Sequence, residues 1–308
     1  MKKFLKRILY KDLRITEYES ITIRDTISEK VFLKTNDFII DVSQDHWALC
    51  LQPIVFGIWL NKQTAFSLLP NNNYQLFFEE TAPQKKLAEI QLSFFDTVED
   101  QDGTLLLVKA DKCKLFHVSF IETFFLYASY YRKPGFSFQK FSSYVSAFSY
   151  PRKVRIVSFQ KEDYYNIFPM DFVGKIGETN RYLFGLRHTN QTLSEIIRAK
   201  KLVVSEVSFA YKKDIYKLGR FHSFSPPSLK QLHFTTFPSR NFGFPVPVWA
   251  ESYNEINITQ TANLGSHMLL WGESQHEEIR NNGPGNLYHI HFLLSLFQKR
   301  KGADYIHV

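Results

Sequence analysis

The segment Arg187-His188-Thr189-Asn190-Gln191-Thr192-Leu193-Ser194-Glu195-Ile196-Ile197 gathers the residue types that an anion site needs. A guanidinium offers a bidentate fork to phosphate, two threonines offer hydroxyls, and a helix start offers unpaired backbone N–H groups with partial positive charge. Thr192 followed by Glu195 reads as a capping box, and Leu193, Ile196 and Ile197 form the apolar stripe of the helix it opens. The same residues also describe an ordinary capped helix with Arg187 in solvent, and caps are far commoner than anion sites.

Two further segments carry chemistry only in company. In Tyr165-Asn166-Ile167-Phe168-Pro169-Met170-Asp171-Phe172, Asn166 can bond its own backbone at a turn and Pro169 fixes an extended backbone. In Gly265-Ser266-His267-Met268-Leu269-Leu270-Trp271-Gly272-Glu273 a histidine enters an apolar strand. Lone histidines are more often structural than catalytic, although this side chain changes charge near neutral pH.

The elements that must hold these residues are mostly strands. The 30 Phe and 16 Tyr against 3 Met favour pleated, half-buried surfaces. From Ile15 to Lys109 short apolar stretches (Ile21–Ile23, Val31–Leu33, Phe38–Ile40, Val55–Trp59, Tyr74–Phe78, Thr104–Val108) alternate with turn signals at Asn71-Asn72-Asn73 and Asp102-Gly103. Ala82 to Ile90 reads as a short helix with proline in its first turn. Ser119 to Arg132, apolar on most faces and stopped by Lys133-Pro134-Gly135, reads as a buried or inter-domain helix. Lys153 to Phe159 alternates as a strand, and further strands are expected at Tyr182–Leu186, Leu202–Val207 and Met268–Glu273. The boundary falls near Ser146, giving a β-rich accessory domain over 1–145 with its helical connector near 119–132, and a second domain over 146–308. No internal repeat or low-complexity tract is visible.

Composition narrows the classes. With 44% hydrophobic and 22% charged residues the chain is an ordinary globular sequence. Its formal net charge of +8 is spread along the chain, which suits phosphorylated small molecules; nucleic acid would call for a concentrated stripe and is not expected. The 2 cysteines, Cys50 and Cys113, show neither CxxC nor metal-ligand spacing, so no metal is expected and both read as core residues of a reducing compartment. Charges interrupt the apolar residues of the basic start, and the longest apolar run, Ile54 to Leu60, is too short for a bilayer, so the cytoplasm is the expected location and no membrane is involved.

Taken in order, a strand opened by Tyr150-Pro151-Arg152, the Asn166-x-x-Pro169-Met170 segment, the Arg187-x-Thr189-x-x-Thr192 helix start, the strand Leu202-Val203-Val204-Ser205 and the late Gly265-x-His267 strand resemble the flavin-reductase-like FMN-binding split barrels, the flavoredoxin group among them. The resemblance spans about residues 148 to 300 and implies a mainly β fold with a few helices: a C-terminal split barrel beside an N-terminal β-rich domain. It implies FMN, or the larger FAD, as cofactor, with NAD(P)H as reductant, and a homodimer with flavin near its interface. It places Asn166, Phe168, Pro169, Met170 and Asp171 at the flavin ring, Arg187, Thr189 and Thr192 at its phosphate, and His267 beside the nicotinamide or flavin. Two positions depart from the pattern: Asp171 stands where a small hydroxyl residue is frequent, and Ser266 where Gly-Asp-His is frequent. An unpaired Asp171 would repel a phosphate or a reduced flavin. The activity implied is NAD(P)H-dependent flavin reduction or related electron transfer; the alternative is a non-enzymatic flavin-binding or interaction module on a degenerate barrel. The N-terminal half carries no such motif and reads as a partner-binding domain, a lid or a cover for the barrel.

Overall fold

A computed structural model describes all residues except 1, 11–14, 17, 24–26, 37, 68–72, 82–83, 163, 220–231, 281–284, 303–305 and 308. Strands dominate it, so the fold is mainly β. Among the described residues no helix is long and apolar enough to cross a membrane.

Helix α1 (Lys2–Tyr10) and strand β1 (Tyr18–Ile23) precede β2 (Glu29–Lys34), β3 (Ile39–Asp41), β4 (His46–Leu51), β5 (Ile54–Asn61), α2 (Lys62–Ser67), β6 (Tyr74–Thr81), β7 (Gln84–Glu99) and β8 (Gly103–Leu115). Strands β2 to β8 form one antiparallel sheet in the order β3-β2-β6-β7-β8-β5-β4. The helix expected over Ala82–Ile90 is instead the start of β7; Ala82 and Pro83 lie outside the described residues. Ala88, Ile90 and Leu92 are buried, with Glu89 and Gln91 between them, so period two prevails over the helix-favouring lysines and alanine once β6 and β8 pair on either side.

The connector holds α3 (Phe120–Leu126), continued by a π-helical turn at Tyr127–Tyr131, and α4 (Phe138–Ala147). Ser119 and Glu122 form a complete capping box on α3, and Gly135, with φ of 76°, takes the chain into the left-handed region beyond it. Then follow β9 (Arg152–Lys153), β10 (Arg155–Lys161), β11 (Tyr164–Met170), β12 (Val173–Lys175), β13 (Arg181–Arg187), α5 (Leu193–Ala199), β14 (Lys201–Glu206), α6 (Lys212–Leu218), β15 (Thr236–Pro238), β16 (Pro245–Pro247), β17 (Ser252–Asn263), β18 (His267–Ile279), β19 (Asn286–His291), α7 (Phe292–Arg300) and β20 (Ile306–His307). The second large sheet runs β11-β10-β14-β17-β18-β13-β12.

Counting each half's seven strands from its own first, both sheets have the order 2-1-5-6-7-4-3. In both a helix, α2 or α5, follows the fourth strand. The chain therefore does contain a repeat, one written in topology and invisible as residue identity. The halves differ mainly between strands five and six, where the second carries α6, β15 and β16 and the first has only two residues between β6 and β7.

Each half has its own apolar core, one around Leu33, Phe56, Phe78 and Ile90, the other around Phe159, Phe168, Phe184 and Ile256. A third core is the seam between them, where Leu49, Val55, Leu105 and Leu107 meet Ile176, Leu183, Leu269 and Trp271. The approach is close. The Trp47 ring lies 2.6 Å, and the Leu49 carbonyl oxygen 2.0 Å, from where a Cβ on Gly174 or Gly185 would stand. The small sheet β20-β1-β19-β9, with α1, α3, α4 and α7 packed through Tyr10, Phe125, Phe141 and Phe292, braces both halves from one side.

Candidate functional site

The segment read as a loop around Asn166 is strand β11, at the edge of its sheet, which is where Pro169 is tolerated. Asn166 and Thr192, 26 residues apart, are both fully buried, and the Asn166 amide donates to Thr192 Oγ1 at 2.7 Å. Tyr164 shares that hydroxyl at 2.9 Å, while Asn166 Oδ1 accepts from the Ile167 N–H. These bonds pin β11 to the start of α5. They also correct the expected capping box: Thr192 makes no side-chain cap, its N–H donates to Asn190 Oδ1 at 2.8 Å, and Glu195 pairs with Arg198. A hydroxyl engaged in the interior does not turn outward to cap the helix.

Above this floor the chain turns, with the Asn190 N–H donating to the Arg187 carbonyl, and Arg187, His188 and Thr189 are exposed together. His267 is the register partner of Arg187 on β18, yet it is only 2% exposed. Its Nδ1 lies 2.8 Å from Ser266 Oγ and its ring 5.5 Å from that of Phe172. Ser266 thus orients the histidine. The same hydroxyl accepts from the Gln52 N–H at 3.0 Å, and the Ser266 N–H donates to the Gln52 carbonyl at 2.8 Å. Gln52 belongs to the turn between β4 and β5, so the first half touches the second at this end of β13 and β18.

The remaining residues separate. Phe168 and Met170 are packed inside the second core and Pro169 is partly exposed. Asp171 faces away, toward Arg152 and His289, each at 3.0 Å. Burial pushes its pKa up, but the Arg152 guanidinium and then the His289 bond outweigh this and hold the carboxyl well below its ordinary range. The charge that would have repelled a phosphate is paired.

Beside Asp171 lies a cavity of about 170 Å³ between the halves, with Trp47 and Gln44 on one wall and Arg152, Lys153, Arg155 and Lys175 on the other. Lys153 and Arg155 share Glu206, at 2.6 and 2.7 Å, and the Arg155 guanidinium also donates to the Val173 carbonyl. In the sequence Lys153 and Arg155 are polar residues of a strand that Arg152 opens, and three cations within four positions are the visible signal of a basic wall.

Solved structures similar to this chain include FMN-binding and flavin-reductase proteins, matched over roughly half of it. An FMN-binding protein from Thermus thermophilus is 19% identical over 42% of this chain and 71% of its own, with a TM-score of 0.38. Flavoredoxin from Methanosarcina acetivorans is 14% identical over 42% and 69%, with a TM-score of 0.37. A Streptomyces globisporus NADH:FAD oxidoreductase is 14% identical over 46% and 83%, with a TM-score of 0.40. No family model and no curated protein matches the chain. Likeness at this level says nothing about ligand or activity, which rest on the residues themselves.

Those residues fit a phosphate-bearing ligand at one place. Arg187 and Thr189 are exposed on one turn, a cation and a hydroxyl within three positions, over a buried polar floor that fixes the turn. Thr192 belongs to that floor. Its hydroxyl is spent on Asn166 and Tyr164.

Proposed function

We propose that this protein is an FMN-binding flavoprotein in which Arg187 and Thr189 hold the flavin phosphate, on the turn fixed by Thr192 and Asn166, with the β11 edge at the partly exposed Pro169 and the start of β18 at His267 bordering the ring. The observation that carries this reading is the exposed Arg187–Thr189 turn anchored by a fully buried Asn166–Thr192 bond. A guanidinium and a hydroxyl on a rigid turn suit a single phosphate monoester, which favours FMN over FAD. Bound flavin would accept hydride from NADH or NADPH and pass electrons onward, so the chain needs no nucleophile of its own. Its residues bind, orient and shield. Ser266 sets the His267 ring, and Phe172 packs beside it.

One observation favours a second reading, a flavin-binding module without turnover: His267 is buried and tied through Ser266 to the seam between the halves. An absorbance spectrum after incubation with FMN and removal of the excess tests binding, and steady-state NADH and NADPH oxidation separates the two readings. Retained flavin with turnover at ordinary enzyme rates supports the reductase. Retained flavin without turnover supports the module, and a colourless protein removes both.

A further inference from the structure

We propose that the N-terminal half is a second copy of the C-terminal barrel, kept in the same chain to do what a partner subunit does in a homodimer, so that the protein works as a monomer with one ligand site. The part that concerns stoichiometry rests on the flavin reading above.

The shared strand order is the first support, and the form of the seam is the second. A two-fold interface is reciprocal: a patch on one copy meets another patch on its partner, and the converse contact repeats. Here the turn between strands three and four of the first half, at Gln52, bonds Ser266 in the turn between strands six and seven of the second. The converse contact is present. Arg181, at the start of strand four of the second half, is ion-paired with Asp100 and Asp102 in the turn between strands six and seven of the first. Equivalent strands fill the apolar middle, with Leu105 and Leu107 of β8 and Leu269 and Trp271 of β18 in one cluster. A face that a separate subunit would cover is covered from within the chain.

The two ends of this seam are not chemically equal. The ladder between strands four and seven ends at Arg187 opposite His267 in the second half, and at Asn61 opposite Gly103 in the first. The first half therefore has neither guanidinium nor imidazole at that pair, where the next residue along is Lys62. A Cβ on Gly103 would stand 2.2 Å from the Leu60 carbonyl oxygen, so that end is closed by backbone. At the same end Asp100 and Asp102 share the single guanidinium of Arg181, a cluster that keeps one net negative charge and disfavours an anion. At the other end the Gln52 turn braces Ser266, and through it His267.

Light scattering after size exclusion, combined with an FMN titration followed by flavin fluorescence on the full chain, tests the proposal. The expected result is a single-chain mass of 36.2 kDa with and without FMN, and saturation at one flavin per chain. A mass of twice that value at micromolar protein overturns the built-in partner, and two flavins per chain overturn the inequality of the halves. If no FMN binds, the flavin reading and the one-site statement fall together, while the measured mass still decides whether the first half replaces a subunit.

Discussion

Glu206 shows how charge is managed at the scale of single residues. Burial raises its pKa, but Arg155 and then Lys153 prevail and bring it down to about 2. A carboxyl whose folded value is depressed contributes stability that is present above its ordinary range and is lost as pH falls toward that lower value. Glu206→Gln leaves Arg155 buried without its counter-charge and should cost about 3–5 kcal/mol in urea denaturation at neutral pH. A loss under about 1 kcal/mol would mean that the cluster is not a structural unit. At this scale the sequence was legible in residue type and poorly legible in direction. Arg187 and Thr189 face outward as an anion site needs, whereas Thr192 and Asn166 point at one another, and nothing local in the sequence signals a bond between residues 26 positions apart. Asp171 was a departure from the expected pattern until its partners Arg152 and His289 came from a connector strand and from β19.

Among the elements, the apolar-rich strands β2, β5, β6, β8, β10 and β13 were legible, and β4, β7, β11 and β17 were not. β11 was hidden by Asn166 and Pro169, which read as loop chemistry, and the start of β7 by lysine, alanine and glutamate, which favour a helix until sheet neighbours override them. The close approach of β4 to β13 makes a sharp prediction. Gly185→Ala sets a methyl against the Leu49 carbonyl, so β4 and β13 must move apart at that point. Overpacking of this kind costs typically 1–3 kcal/mol. Thermal unfolding should fall by several degrees, given ~2–4 °C per kcal/mol for a chain of this size. An unchanged transition would show that the seam is loose.

For the molecule as a whole, the mainly β architecture and the half-chain extent of the resemblance were legible, because aromatic content and ordered motifs survive sequence drift. The repeat was not, since seven strands in one order require only compatible burial patterns and those constrain identity weakly. Three of the buried histidines, one on β4, one just after β8 and one capping α7, give the whole fold a common acid response. Burial lowers His46 and His117 to about 4 and His291 to about 3. All three are neutral when folded and take up protons near pH 6.5 when unfolded, so their contribution is complete above that pH and is lost as pH falls toward 4. Together they give a slope of up to about 4 kcal/mol per pH unit over that window, and urea midpoints at pH 7.5 and 5 should differ accordingly. Equal midpoints would contradict the burial of these rings.

The central claim is that a flavin phosphate sits on the turn at Arg187. Equilibrium titration of FMN into the wild-type chain and into Arg187→Ala, with the fold of both checked by circular dichroism, tests it most directly. Loss of a charge-assisted bond worth about 1.5–3 kcal/mol predicts affinity weakened by roughly ten- to a hundredfold. Equal affinity in two equally folded proteins would contradict the claim and remove Arg187 from the site.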